Sequence, residues 1–123
     1  MDNFIIYHNP KCSKSRQTLA LMVVKGYDPE IFLYLKEKLS PGMLEEVLLK
    51  LNMKPRDLLR KGEDEYKENN LSDDTLSVRD LIDYMVKYPK LIERPIVIKE
   101  NRAVLGRPPE NVLKLFELIQ GRP

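Results

Sequence analysis

Residues 4–15 read FIIYHNPKCSKS, and this stretch decides how the chain begins to fold. Its first four residues are β-branched or aromatic, which is typical of a short buried strand. The strand ends at the turn signal HNP. A serine N-cap at Ser13 or Ser15 then predicts a helix that ends at Gly26, because glycine favours the position after a helix. Cys12 is therefore predicted to lie between the first strand and the first helix.

The remaining elements follow from the same apolar patterns. Residues 31–35 predict a second strand, parallel to the first because a helix connects them. Helices are predicted from Ser40-Pro41, at 55–60 and at 77–88, with a charged loop containing one helical turn at 61–75. A hairpin is predicted from 95–98 and 103–105 around a four-residue connection, and a last helix from Pro108-Pro109. This order predicts a single α/β domain over residues 1–123, with a thioredoxin-like fold (βαβ plus ββα) and a helical insertion at about residues 40–88.

Composition excludes several classes of function. The 123 residues include 21 Lys or Arg and 19 Asp or Glu, and the resulting net charge of +2 argues against a nucleic-acid binder. One Cys and one His supply neither a disulfide framework nor a zinc site, and no acidic spacing resembles a metal loop. No signal peptide or membrane span is recognisable. We expect a cytoplasmic, monomeric protein without metal, nucleic-acid or membrane partners.

Cys12 is the residue best placed for chemistry. A helix N-terminus concentrates amide donors and partial positive charge, which stabilise a thiolate, and Lys11, Lys14 and Arg16 add positive charge. The alternative is an inert buried thiol. The motif is C-x-x-S, with Ser15 in the last position, so any adduct on Cys12 must be resolved by a thiol from another molecule.

His8 and Asn9 precede the cysteine in the same turn. His8 is a candidate general base or hydrogen-bond donor for Cys12, and the alternative is a role in ordering the loop. Asn9 is expected to bind backbone amides of the turn, or to fix Cys12.

Three arginines stand beside backbone features that restrict them. Arg60 is predicted to close the short helix begun at Pro55, whereas Arg94 and Arg107 each precede a proline. The planar guanidinium suits tetrahedral oxyanions, so convergence of these residues would form an anion site. Taken singly, each fits a surface charge, and sequence spacing does not decide between the two readings.

Several motifs together carry a family resemblance. Residues 6–19, IYHNPKCSKSRQTL, resemble the N-terminal signature of the glutaredoxin-dependent arsenate reductase (ArsC) family. Two later stretches agree: LLRK at 58–61, and LIERPIV at 91–97 together with LGRP at 105–108. The likeness keeps its order and spacing over nearly the whole chain.

The resemblance implies a thioredoxin-like enzyme that reduces arsenate to arsenite. It implies that the Cys12 thiol attacks arsenate, that glutathione displaces the adduct as co-substrate, and that glutaredoxin reduces the mixed disulfide, with no cofactor bound. It also implies a lowered thiol pKa attributed to His8, and a cis-proline at Pro95. The implied oxyanion ligands are Arg60, Arg94 and Arg107, and the implied supporting residues are Asn9, Ser15, Arg16 and Pro95.

Two alternatives remain open. Ser13-Lys14 replaces the Gly-Thr pair expected after the cysteine of established arsenate reductases, which is compatible with an ArsC-like thiol oxidoreductase acting on another substrate. The second alternative is an Spx-type regulator that binds RNA polymerase. That group typically carries C-x-x-C, which Ser15 interrupts here, and it does not need the full arginine set.

Overall fold

The structure, a computed structural model, describes residues 4–119. Its strands are β1 (Phe4–Tyr7), β2 (Glu30–Phe32), β3 (Ile96–Lys99) and β4 (Arg102–Leu105). Its helices are α1 (Ser13–Val24), α2 (Pro41–Leu51), α3 (Pro55–Leu58), α4 (Asp64–Glu68), α5 (Val78–Lys87) and α6 (Val112–Ile119). The chain forms two compact units, which we call the sheet unit (residues up to 37 and from 94 onward) and the helical unit (residues 38–93).

The sheet unit contains one four-stranded sheet in the order β2-β1-β3-β4. Strands β1 and β2 are parallel, with Ile6 opposite Ile31, which confirms the predicted βαβ start. Strand β3 runs antiparallel to both β1 and β4. The hairpin connection is two residues long rather than the predicted four, because Lys99 and Arg102 are themselves paired. Glu100 makes the tight turn with a φ of 54°.

Apolar side chains fix α1 and α6 against the sheet. The Phe4 ring meets Tyr27 and Phe116 edge-on, with centroids 4.8 and 5.5 Å apart. Full burial of such a side chain contributes about 2–3 kcal/mol. The core cluster consists of Phe4, Ile6, Met22, Val97, Val112, Leu115 and Phe116. This packing holds the C-terminal half of α1, through Met22, against the sheet.

Helix α1 ends as predicted and begins differently. Gly26 has a φ of +90°, and the bonds from its N–H to Val23 O and from Tyr27 N–H to Met22 O complete a Schellman motif. The predicted serine N-cap is wrong, because Cys12 itself is the N-cap, in extended conformation. Ser15 does not cap α1, since its hydroxyl accepts from the Asn9 N–H, before the helix.

The second strand is shorter than the predicted residues 31–35. It ends at Phe32, and the chain then turns, with the amides of Lys36 and Glu37 both donating to Leu33 O at 2.8 Å. The Glu37 carboxylate in turn accepts from Leu33 N–H. Residues 33–35 therefore form a loop rather than a strand, despite their apolar pattern.

The helical unit has serine-capped helices at the predicted places. Ser40 caps α2, and Ser77 caps α5 with Asp80 in a reciprocal capping box. Helix α3 stops at Leu58, so the prediction that Arg60 closes it is wrong. The reason is that Leu59 pairs with Ile92 as an isolated β-bridge and pulls the chain into extended form. That these residues form an insertion within a single domain stays a prediction.

The predicted final helix is preceded by a 3-10 turn, Pro109–Asn111, so α6 itself begins at Val112. Within residues 4–119, no helix is long and apolar enough to cross a membrane. The same residues contain no group of three or more His, Cys, Asp or Glu side chains arranged to hold a metal ion.

Candidate active site

The loop between β1 and α1 presents Cys12 half-buried. The Cys12 N–H donates to Asn9 O at 3.0 Å, and the Lys11 N–H donates to the Asn9 side-chain oxygen at 3.0 Å. The predicted binding of turn amides by Asn9 is thus observed. Arg16 closes the loop from the helix side by donating to Pro10 O at 2.9 Å. These bonds hold the cysteine rigidly at the start of α1.

Two of the three predicted arginines meet at this thiol. Nη1 of Arg107 lies 3.8 Å from Cys12 Sγ, and the same nitrogen donates to Arg94 O at 3.1 Å. The Arg94 side chain hydrogen-bonds the thiol as well. Both arginines stand at the open end of the β3–β4 hairpin, each before a proline joined by a cis peptide bond, which confirms the cis-proline predicted at Pro95.

The pKa of the Cys12 thiol is lower than that of a free thiol. Burial of the sulfur, the largest single influence, raises this pKa, but the combined lowering influences outweigh it. These are the backbone N–H of Ser15, the Arg94 hydrogen bond, the backbone N–H of Lys14 and the Arg94 charge, in that order. Both amides belong to the first turn of α1, where backbone N–H groups and the helix dipole favour an anion. These influences favour the thiolate, which is the nucleophilic form of cysteine, and the catalytic role of Cys12 stays a prediction.

His8 lies against Ser15 rather than against Cys12. Its Nδ1 is 2.6 Å from the Ser15 hydroxyl, which also accepts from the Asn9 N–H at 3.1 Å, and all three residues are buried. Burial, followed by the charge of Arg16, lowers the pKa of His8. Both influences favour the neutral ring, whose Nδ1 shares a hydrogen bond with the Ser15 hydroxyl. This contact fits the alternative role of His8 in ordering the loop, and its assignment as a catalytic residue stays a prediction.

Arg60 lies in the helical unit between two carboxylates. Its Nη1 is 2.7 Å from Glu93 Oε1, and its Nε is 3.2 Å from Glu63 Oε2. Its backbone N–H donates to Leu91 O at 2.7 Å. The two carboxylates offset the charge of this guanidinium, and its assignment to an oxyanion stays a prediction.

Sequence reasoning missed the contact between Thr18 and Gly106. The fully buried Thr18 hydroxyl donates to Lys14 O at 2.8 Å and to Gly106 O at 3.3 Å, and the Gly106 N–H donates to Pro95 O at 2.9 Å. A Cβ on residue 106 would lie 2.6 Å from Thr18 Oγ1 and 2.9 Å from Pro95 Cγ. Glycine lets the loops carrying both arginines approach α1. An isolated glycine directly after a strand was the available signal.

Gly106→Ala is expected to disturb the site and the fold together. The added methyl group forces α1 and the Pro95 loop apart, which we expect to lower the free energy of unfolding by about 1–3 kcal/mol. Displacement of the neighbouring Arg94 should also shift the pH midpoint of Cys12 alkylation upward. Thermal unfolding and pH-dependent reaction with iodoacetamide measure both effects. Gly62→Ala is the matched control, since a Cβ there meets nothing within 4 Å; equal behaviour of the two variants would contradict the close-approach argument.

Comparison with known proteins agrees with this architecture. The family model described as "ArsC family" matches residues 7–115. The chain is 50% identical to the uncharacterized protein YfgD of Escherichia coli K12 over 111 residues, covering 89% of this chain and 93% of that protein. It is 46% identical to an arsenate reductase of Haemophilus influenzae, covering 91% and 97%.

One solved structure is similar to this chain at the same sequence identity. The structure titled as an arsenate reductase from Vibrio cholerae superposes with a TM-score of 0.90 at 46% identity, covering 92% of this chain and 97% of that one. The agreement extends over the thioredoxin-like α/β architecture and nearly the full length of each relative. The chain belongs to the ArsC family.

Proposed function

We propose that this protein is an arsenate reductase that uses the Cys12 thiolate to convert arsenate to arsenite. The observation that carries the proposal is the convergence of Arg94 and Arg107 on a thiol with a lowered pKa. Two guanidinium groups beside a thiolate form a site for a tetrahedral oxyanion next to a nucleophile. The arsenate reductase of Haemophilus influenzae, at 46% identity, supports the choice of oxyanion.

The chemistry begins at the start of α1. The two arginines and the first amides of the helix bind the arsenate oxygens and spread their negative charge. The Cys12 thiolate then attacks arsenic and forms an S–As bond, and one arsenate oxygen leaves as water after protonation. The arginines thereby stabilise the charge on the oxyanion while the helix amides have already stabilised the thiolate.

The second half of the reaction needs an external thiol. Cys12 is the one cysteine of the sequence, so no internal disulfide is possible. In our proposal, glutathione attacks the Cys12 sulfur, the S–As bond breaks with its electron pair left on arsenic, and arsenite departs. Glutaredoxin then reduces the Cys12–glutathione disulfide by thiol–disulfide exchange. In our proposal, this cycle runs in a reducing, cytoplasmic compartment.

A coupled assay tests the proposal. NADPH oxidation is followed with arsenate, glutathione, glutaredoxin and glutathione reductase present. We expect oxidation that depends on arsenate, on this protein and on glutaredoxin. Rapid alkylation of Cys12 without arsenate turnover would overturn the substrate assignment and favour an ArsC-like thiol oxidoreductase with another substrate.

Glu93→Gln tests the role that the family resemblance gives to Arg60. Removal of one carboxylate leaves more of the guanidinium charge available to an anion, so we expect the KM for arsenate to fall. A partly exposed ion pair is worth up to about 1 kcal/mol, which corresponds to a roughly two- to fivefold change. Glu68→Gln, at the end of α4, is the control. An unchanged KM in Glu93→Gln, together with full activity of Arg60→Ala, would show that Arg60 is structural.

A further inference from the structure

A pocket of about 380 Å³ opens in the sheet unit beside the loop between β1 and α1, which carries Cys12. It lies between the turn that precedes Cys12 and the turn that follows β2, and its size is within the roughly 300–1,000 Å³ of ligand sites. We call it the lysine pocket. Its lining residues are His8, Asn9, Pro10, Lys11, Leu33, Leu35 and Lys36.

The lysine pocket combines two positively charged side chains with apolar lining residues. Lys11 and Lys36 supply two exposed ammonium groups, and no lining residue carries a carboxylate. Within residues 4–119, neither ammonium forms an ion pair. The nearest acidic neighbour in sequence, Glu37, is engaged by the Leu33 N–H at 2.8 Å. The pocket therefore suits a small anion that also has an aliphatic portion.

The lysine pocket is close to the reacting sulfur. Lys11 is covalently adjacent to Cys12, and Asn9, another lining residue, accepts the Cys12 N–H at 3.0 Å. A tripeptide in extended form spans about 10 Å. A thiol tripeptide can thus place a terminal carboxylate in the pocket while its sulfur reaches Cys12.

We propose that the lysine pocket binds a carboxylate arm of the thiol co-substrate, glutathione, through Lys11 and Lys36. This inference rests on the proposed function for the identity of the co-substrate. The two ammonium groups pair with carboxylate, and the leucines and Pro10 pack against the methylene groups of the γ-glutamyl arm. Binding there orients the glutathione sulfur toward Cys12 and lowers the entropic cost of the second step.

The test uses glutathione disulfide, so that it does not depend on arsenate. The Cys12 thiolate attacks one sulfur of this disulfide, the S–S bond breaks, and one glutathione leaves as thiolate. Mass spectrometry gives the rate of glutathionylation for the parent, for Lys11→Gln and for Lys36→Gln. The neutral 2-hydroxyethyl disulfide is run in parallel, because it reports any change in the reactivity of Cys12 itself.

We expect each variant to react about three- to tenfold more slowly with glutathione disulfide than the parent, after division by its own rate with the neutral disulfide. Lys25→Gln, at the far end of α1, removes the same charge away from the pocket and should change neither rate. Equal slowing with both disulfides, no slowing, or equal slowing in Lys25→Gln would each overturn the pocket assignment. Absence of arsenate turnover in the parent would instead overturn the proposed function, and the disulfide rates would still decide the pocket.

Discussion

Cys12→Ser is expected to abolish arsenate-dependent NADPH oxidation and leave the fold intact. A serine hydroxyl has the same shape but remains protonated at neutral pH, and it cannot form the sulfur adduct that glutathione resolves. We expect the rate in the coupled assay to fall to the level without enzyme. Thermal unfolding should change little, because Cys12 is half-buried and serine is a favourable N-cap.

Ser13→Ala provides the control for this experiment. Ser13 is the next residue, is exposed, and its hydroxyl makes no hydrogen bond within the described residues. We expect that variant to keep parental turnover. Residual arsenate-dependent activity in Cys12→Ser would mean that the reaction does not proceed through this thiol, and the proposed mechanism would be wrong.

Local signals predicted the framework of the site. The first strand was predicted from the apolar residues 4–7, which are largely buried. The end of the first helix was predicted from Gly26, which has the left-handed φ that favours glycine. The position of Cys12 at the start of α1 follows from these bounds. The serine caps of α2 and α5 were equally local, since each depends on contacts three residues away.

Long-range contacts account for what the sequence did not predict. The convergence of Arg94 and Arg107 depends on strand register, with Ile96 opposite Leu105, which no local pattern specifies. Ser15 was a candidate cap by composition, yet its hydroxyl is engaged by His8 and Asn9, seven and six residues earlier. The end of α3 likewise depended on a β-bridge to a residue more than thirty positions away.

Arg94→Ala is expected to raise the pKa of the Cys12 thiol and to reduce turnover. Arg94 lowers this pKa by a hydrogen bond and by its charge, and burial of the sulfur raises it. Without the guanidinium, the influence of burial is less opposed, so a smaller fraction of the thiol is ionised at pH 7. A hydrogen bond to a charged group is worth about 1.5–3 kcal/mol, which corresponds to roughly a 10- to 150-fold loss in kcat/KM for arsenate.

The pH dependence of iodoacetamide alkylation separates the two arginines at the thiol. Alkylation follows the thiolate, so its midpoint should move to higher pH in Arg94→Ala. Arg94 lowers the thiol pKa through both a hydrogen bond and its charge, whereas Arg107 Nη1 lies 3.8 Å from Sγ, which is a long contact even for sulfur. We therefore expect Arg107→Ala to raise the KM for arsenate with a smaller change in the alkylation midpoint.

Arg102→Ala is the matched control, because Arg102 is exposed on the same hairpin and carries the same charge. Its alkylation midpoint and its KM for arsenate should equal those of the parent. Arg94→Lys should restore part of the midpoint shift through charge, but less of the turnover, since an ammonium does not bind an oxyanion as a planar fork. A parental midpoint at or above the free-thiol value of about 8.5 would contradict the activated thiolate. Parental kinetics in both alanine variants would show that the oxyanion is bound elsewhere, because these two guanidinium groups are the ones that the structure brings to the sulfur.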